Sequence, residues 1–79
     1  MVERTPLSEM KTGRTGTIVE ISAGKGIHSR LRALGLRDGI KVTKVSAAFA
    51  RGPVVLKVYS TQIALGYGIS RKIIVEVER

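Results

Sequence analysis

The sequence holds no cysteine and no tryptophan among its 79 residues. Disulfide staples, thiolate zinc sites and cysteine nucleophiles are excluded together, so any fold must stand on packing alone. Aromatic residues are limited to Phe49, Tyr59 and Tyr67. A core therefore has to come from Val, Ile and Leu, and the β-branched members of that set favour strands. Reactive groups are equally sparse: His28 is the one histidine, and the six carboxylates are scattered along the chain. No acid–base or nucleophile–base pair stands at a recognisable spacing, which argues against an enzyme. Long apolar runs are missing too. Nowhere do about 18 apolar residues follow one another, and the first ten residues mix charges, so a soluble cytoplasmic protein is expected.

What the chain does have is positive charge. Fourteen Lys and Arg against six Asp and Glu give a formal charge of +8 and a pI near 10.7. Such an excess attracts nucleic acid, anionic lipid or an acidic protein face, so it fixes the sign of a partner and not its identity. A solvated basic surface that only keeps the protein soluble would have the same composition. The length bounds the architecture more firmly. A chain this short buries only about 60% of its unfolded surface, so residues 1–79 are expected to form a single domain.

Along the chain, Pro6-Leu7-Ser8-Glu9-Met10 reads as a one-turn helix whose Leu7 and Met10, spaced i, i+3, plug one end of a core. A first strand is expected over 15–21, with Thr17, Val19 and Ile21 on one face and Ile18 and Glu20 on the other. Ala23-Gly24-Lys25-Gly26 breaks it and leads into a helix of about eight residues, on which Ile27, Leu31 and Leu34 recur at i, i+4 and i+7. Gly35 ends that helix, and Asp38-Gly39 supplies a turn. The second strand, 40–47, places Ile40 and Val42 in phase with Lys44 and Val45 out of phase, which calls for a bulge near Thr43 or cover on both sides. Val54 to Tyr59 alternates strictly and should form a hairpin with the preceding strand. A short fourth strand is expected over 61–65. Gly66-Tyr67-Gly68-Ile69-Ser70 is glycine-rich for a helix. Ile73, Val75 and Val77 alternate with Ile74, Glu76 and Glu78 in a last strand that should pair with the first.

These elements predict a mostly β fold: a small barrel of about five strands with one short inserted helix, closed because closure hides the edges of so small a sheet. The basic residues Lys25, Arg30, Arg32 and Arg37 lie in or beside the helix, and Arg51 lies in a loop. They read either as solvated charge or as a docking surface for acidic groups, for which Arg is suited by its bidentate geometry. Leu31 and Leu34 read as core residues. Leu36 and Phe49, if exposed beside the arginines, would make an apolar anchor with a charged rim. Gly24-Lys25-Gly26 before the helix lacks the full phosphate-loop spacing, and a plain turn accounts for it.

The sequence resembles a known family. Pro6-Leu7-Ser8, Gly16 with Val19 and Ile21, the block Leu31-x-x-Leu34-Gly35-Leu36-x-x-Gly39-x-x-Val42, Gly52-Pro53 and Ile73-x-Val75 together look like the FeoA family, small cytoplasmic partners of the bacterial ferrous-iron transporter. The resemblance implies an SH3-like barrel with an inserted helix, no cofactor, and an accessory role exercised by binding the cytoplasmic GTP-binding region of an FeoB-type permease. It also implies proximity to ferrous iron, for which His28 with Glu20 or Asp38 would be the available ligands. That set is smaller than the three or four ligands that stable first-row sites use, so no metal site is expected. On this reading the partner-binding residues are Lys25, Arg30, Arg32, Leu36, Arg37, Phe49 and Arg51. The alternative is a small basic nucleic-acid-binding barrel, against which the shortage of stacking aromatics argues.

Overall fold

In the computed structural model, which describes residues 1–47 and 51–78, the elements follow the order β1 (Val2–Pro6), a 3₁₀ turn (Leu7–Glu9), β2 (Thr15–Ile21), α1 (Lys25–Ala33), β3 (Lys41–Ala47), β4 (Val54–Val58), β5 (Thr61–Leu65), α2 (Tyr67–Ser70) and β6 (Ile73–Glu78). The strands form one antiparallel sheet in the order β1-β6-β2-β3-β4-β5. The fold is mostly β and SH3-like. The expected hairpin between β3 and β4 is present, and β6 pairs with β2, the strand read as the first. The expected small mostly β architecture with its inserted helix stands, and the structure adds two details. The described residues form six strands, β1 adding itself to β6, and β1 and β5 are the two ends of the hydrogen-bonded sheet. β1 escapes a reading based on hydrophobic alternation because it buries almost nothing: its first three residues are exposed and its last two half-buried.

Branched aliphatics fill the interior as the composition requires. Leu7, Ile18, Leu36, Leu56, Ile73 and Val75 are fully enclosed, with Met10, Leu31, Val42, Val54, Val58, Ile63, Leu65 and Val77 around them. On β2 the inward face is Gly16, Ile18 and Ile21, not Thr17, Val19 and Ile21. A register shift against β6 between Ile18 and Glu20 inserts one extra residue, so Ile18 and Ile21 both face inward although three apart. Gly16 is needed where β2 crosses the core: a Cβ there would meet Val77 Cγ2 at 3.1 Å and Met10 Sδ at 3.2 Å. The expected bulge in β3 falls between Lys44 and Ser46 and turns Val45 outward.

The stop of α1 explains the position of three leucines. Gly35 has φ 89; its N–H donates to Arg32 O at 2.9 Å, and the Leu36 N–H reaches back to Leu31 O at 2.8 Å. These are the paired bonds of a Schellman ending, which brings the residue after the glycine onto the residue five before it. Leu36 is thereby folded onto Leu31 in the core at 0% exposure, while Leu34, the last residue of right-handed backbone, is turned outward at 48%. The expectation that Leu34 is core is corrected.

Gly39, with φ 90, then closes a tight turn and donates to Ile18 O, and Ile18 N–H donates to Ile40 O, so the turn is stitched to β2. Gly66 to Ser70, glycine-rich for a helix, nevertheless makes one helical turn. The Gly66 carbonyl accepts from Ile69 and Ser70 N–H, and the buried Ser70 hydroxyl donates to Tyr67 O at 3.1 Å. So short a turn draws little on helix propensity, and local hydrogen bonds hold it.

Candidate functional site

Helix α1 lies as a crest between two grooves. On one side Lys25, His28, Ser29 and Arg32, spaced along one helical flank, line a shallow groove with Ala23. It runs into a larger groove of about 630 Å³ between α1 and the turn that follows it, lined by Ile21, His28, Arg32, Leu36, Arg37, Asp38, Gly39 and Ile40. On the other side Ile27, Arg30, Leu31 and Leu34 face Ala64, Leu65, Gly66 and Ile69 across a smaller and more apolar groove.

The helix therefore divides the basic residues grouped by the sequence reading. Lys25, Arg32 and Arg37 belong to the first side and Arg30 to the second; all four are exposed. Arg51 is also exposed and stands apart, its guanidinium 5.7 Å from the ring centroid of Tyr67 in α2, within range of a cation–π contact. Leu36 contributes to the floor of the large groove but is fully enclosed, so the anchor role considered for it is corrected: the Schellman ending that folds it inward takes it off the surface. Phe49 lies outside the described residues.

His28 is the residue that the sequence reading undervalued. Its Nε2–H donates to Ile21 O at 2.8 Å, which ties the middle of α1 to the end of β2 and leaves Nδ1 as the ring atom available to a ligand. Only its place three residues before Leu31 could have signalled this. Arg4 pairs with Glu76 at 3.2 Å, whereas Arg32 and Arg37 have no ion-pair partner among the described residues. No group of three or more His, Asp or Glu side chains gathers among the described residues, and none of their helices is long and apolar enough to cross a membrane.

A different cation is wholly internal. Lys44, 4% exposed, extends from β3 under the N-terminal turn and donates from Nζ to Met10 O at 2.6 Å and Ser8 O at 3.0 Å. Desolvation lowers its pKa from the ordinary 10.5.

The family model described as FeoA domain matches residues 5–77. The chain belongs to the FeoA family. A relative from Methanocaldococcus jannaschii, named "Putative Fe(2+) transport protein A", is 34% identical over 71 residues, which is 90% of this chain and 84% of that one. Among solved structures, a crystal structure titled as the iron uptake regulatory protein FeoA superposes with a TM-score of 0.86 at 28% identity, covering 96% of this chain and 99% of that one. A manganese-dependent transcriptional repressor superposes with a TM-score of 0.88 at 19% identity. This FeoA chain spans 44% of the repressor's length, and the likeness there is one of fold alone.

Proposed function

We propose that this FeoA protein is a non-enzymatic accessory protein of ferrous-iron uptake, acting in the cytoplasm by binding the cytoplasmic GTP-binding region of an FeoB-type permease. The observation that carries the reading is the family match across residues 5–77. The near full-length correspondence with a relative named for Fe(2+) transport supports it. The surface offered to the permease includes α1 and the turn after it, where Lys25, Arg30, Arg32 and Arg37 are all exposed; Arg51 and Phe49 complete the proposed set. A nucleic-acid role has less support. Tyr59 is 78% exposed, but Tyr67 is half-buried beneath Arg51, so no platform of several rings is assembled from these two.

The test is direct binding between the purified protein and the cytoplasmic region of the FeoB-type permease from the same genome, measured by calorimetry with and without a GTP analogue. A saturable 1:1 isotherm is expected. An absence of heat and of co-elution in both nucleotide states would reject the reading.

A further inference from the structure

We infer that the groove between α1 and the Arg37–Ile40 turn receives an acidic, aliphatic segment of a protein partner, with carboxylates held by Arg32 and Arg37. The inference rests on the proposed function only in identifying that partner with the permease. The recognition chemistry stands on the groove itself.

Four observations converge there. The groove offers about 630 Å³, enough for two or three side chains and not merely for an ion. Within an otherwise polar lining, the half-buried Ile40 with the edge of Ile21 gives the groove a small apolar spot, which suits one aliphatic side chain between flanking carboxylates. Its walls carry Arg32 and Arg37, each exposed and with no internal ion pair among the described residues, so a carboxylate entering the groove displaces only water from them. Finally, the His28 ring is anchored through Nε2–H to the Ile21 carbonyl, which fixes Nδ1 as an acceptor for a backbone N–H of the bound segment before any ligand arrives.

Lys25 continues the positive edge along the same helix flank, through the groove it shares with His28 and Arg32. One acidic group, Asp38, opposes it at the turn. The charge of the whole chain, +8, adds a long-range pull of the same sign. The second groove of α1, with Arg30 as its only charged lining residue, lacks this arrangement.

The probe is a capped hexapeptide, acetyl-Glu-Leu-Glu-Glu-Leu-Glu-amide, titrated into ¹⁵N-labelled protein. Amide shifts are expected at Arg32, Arg37, Gly39 and Ile40, and not at Leu34 or Gly66. Reversing both charges, R32E with R37E, is expected to weaken binding about tenfold or more, with R30E within about twofold of wild type and D38N tighter by about twofold. All of these side chains are exposed, and circular dichroism of each variant is the check that it folds.

Shifts centred on Leu34 and Gly66, an R30E loss equal to that of the double variant, or no peptide binding would overturn the inference. Tighter binding of a single-stranded DNA 12-mer than of the peptide at equal salt would overturn it too, assigning the groove to phosphates. The permease domain separates the two claims. Equal binding by wild type and R32E/R37E leaves the proposed function standing and removes the groove. Peptide binding without permease binding does the reverse.

Discussion

Lys44 and the pair Arg32 and Arg37 carry the same charge in opposite circumstances. Lys44 is enclosed, and its ammonium answers the carbonyls of Ser8 and Met10, so β3 and the N-terminal turn are fastened through one side chain. Arg32 and Arg37 are exposed on either side of Gly35, which ends α1, with no ion pair among the described residues. The net charge of +8 is therefore not one pool. One part is structural, consumed by backbone acceptors in a desolvated place. The other is held ready at a surface groove, where an incoming anion supplies the missing partner.

The widest separation between the two regions should be in stability. Replacing Lys44 by Glu places a carboxylate against two carbonyl oxygens in an enclosed site, and a loss of about 4 kcal/mol is expected. For a domain of this length, with a total stability of about 4–12 kcal/mol, that is enough to unfold a large fraction of the molecules. Lys44→Met keeps the stem and removes only the donor, so about 2 kcal/mol is expected from the unanswered carbonyls. Urea titrations of the two variants, with unchanged slopes for Met, check both numbers.

The same residue predicts a pH dependence whose sign follows from desolvation. The folded-state pKa lies below the unfolded 10.5. Between the two values the unfolded chain holds more protons at this position, so wild type should gain stability relative to Lys44→Met as pH rises, by less than about 1.4 kcal/mol per pH unit. A flat difference across the alkaline range would mean that Lys44 keeps its proton equally in both states.

Leucines of one motif sharpen the comparison at the next level. Leu36→Ala empties a fully enclosed position and should cost about 3 kcal/mol, whereas Leu34→Ala, at a half-exposed site, should cost under about 1 kcal/mol. Equal losses would contradict the Schellman ending of α1. Gly35→Ala tests that ending itself: φ 89 is strained for any residue with a Cβ, although nothing lies within 4 Å of one placed there. About 1 kcal/mol is expected, read as a melting point lower by about 4–8 °C.

Much of this architecture was legible because the strands from Thr15 to Glu78 bury one side and so alternate: Val54, Leu56 and Val58, or Ile73, Val75 and Val77, announce their inward face. β1 was not, since a strand lying over β6 with little burial leaves no such trace. The β2 bulge was missed because an extra residue reverses the phase within the strand, and Val19 is as apolar as Ile18. Lys44 was visible as an anomaly of phase, but nothing in a sequence reveals that two carbonyls from an N-terminal turn converge on it. At the groove, Arg32 and Arg37 were found by charge alone. The separation of Arg30 from them needed the helix to be placed, and His28 needed its bond to Ile21 to be seen. Helical spacing had assigned Leu34 to the core and left Leu36 open, because a 3.6-residue period stops applying once Gly35 reverses the backbone.

The smallest expected effect is the one that isolates the surface region. Reversing Arg32 and Arg37 together removes no internal ion pair among the described residues and exposes no core, so the double variant should stay within about 0.5 kcal/mol of wild type. A modest gain within that range is expected, because two reversals lower a self-repelling charge of +8 by four. The gain should shrink as salt rises from about 50 to 200 mM, since exposed charges are screened beyond a Debye length. Lys44→Met, enclosed and short-ranged, should keep its full loss across the same series. A loss in the arginine variant as large as that at Lys44, unaffected by salt, would show that these side chains are built into the fold instead of being held for a partner.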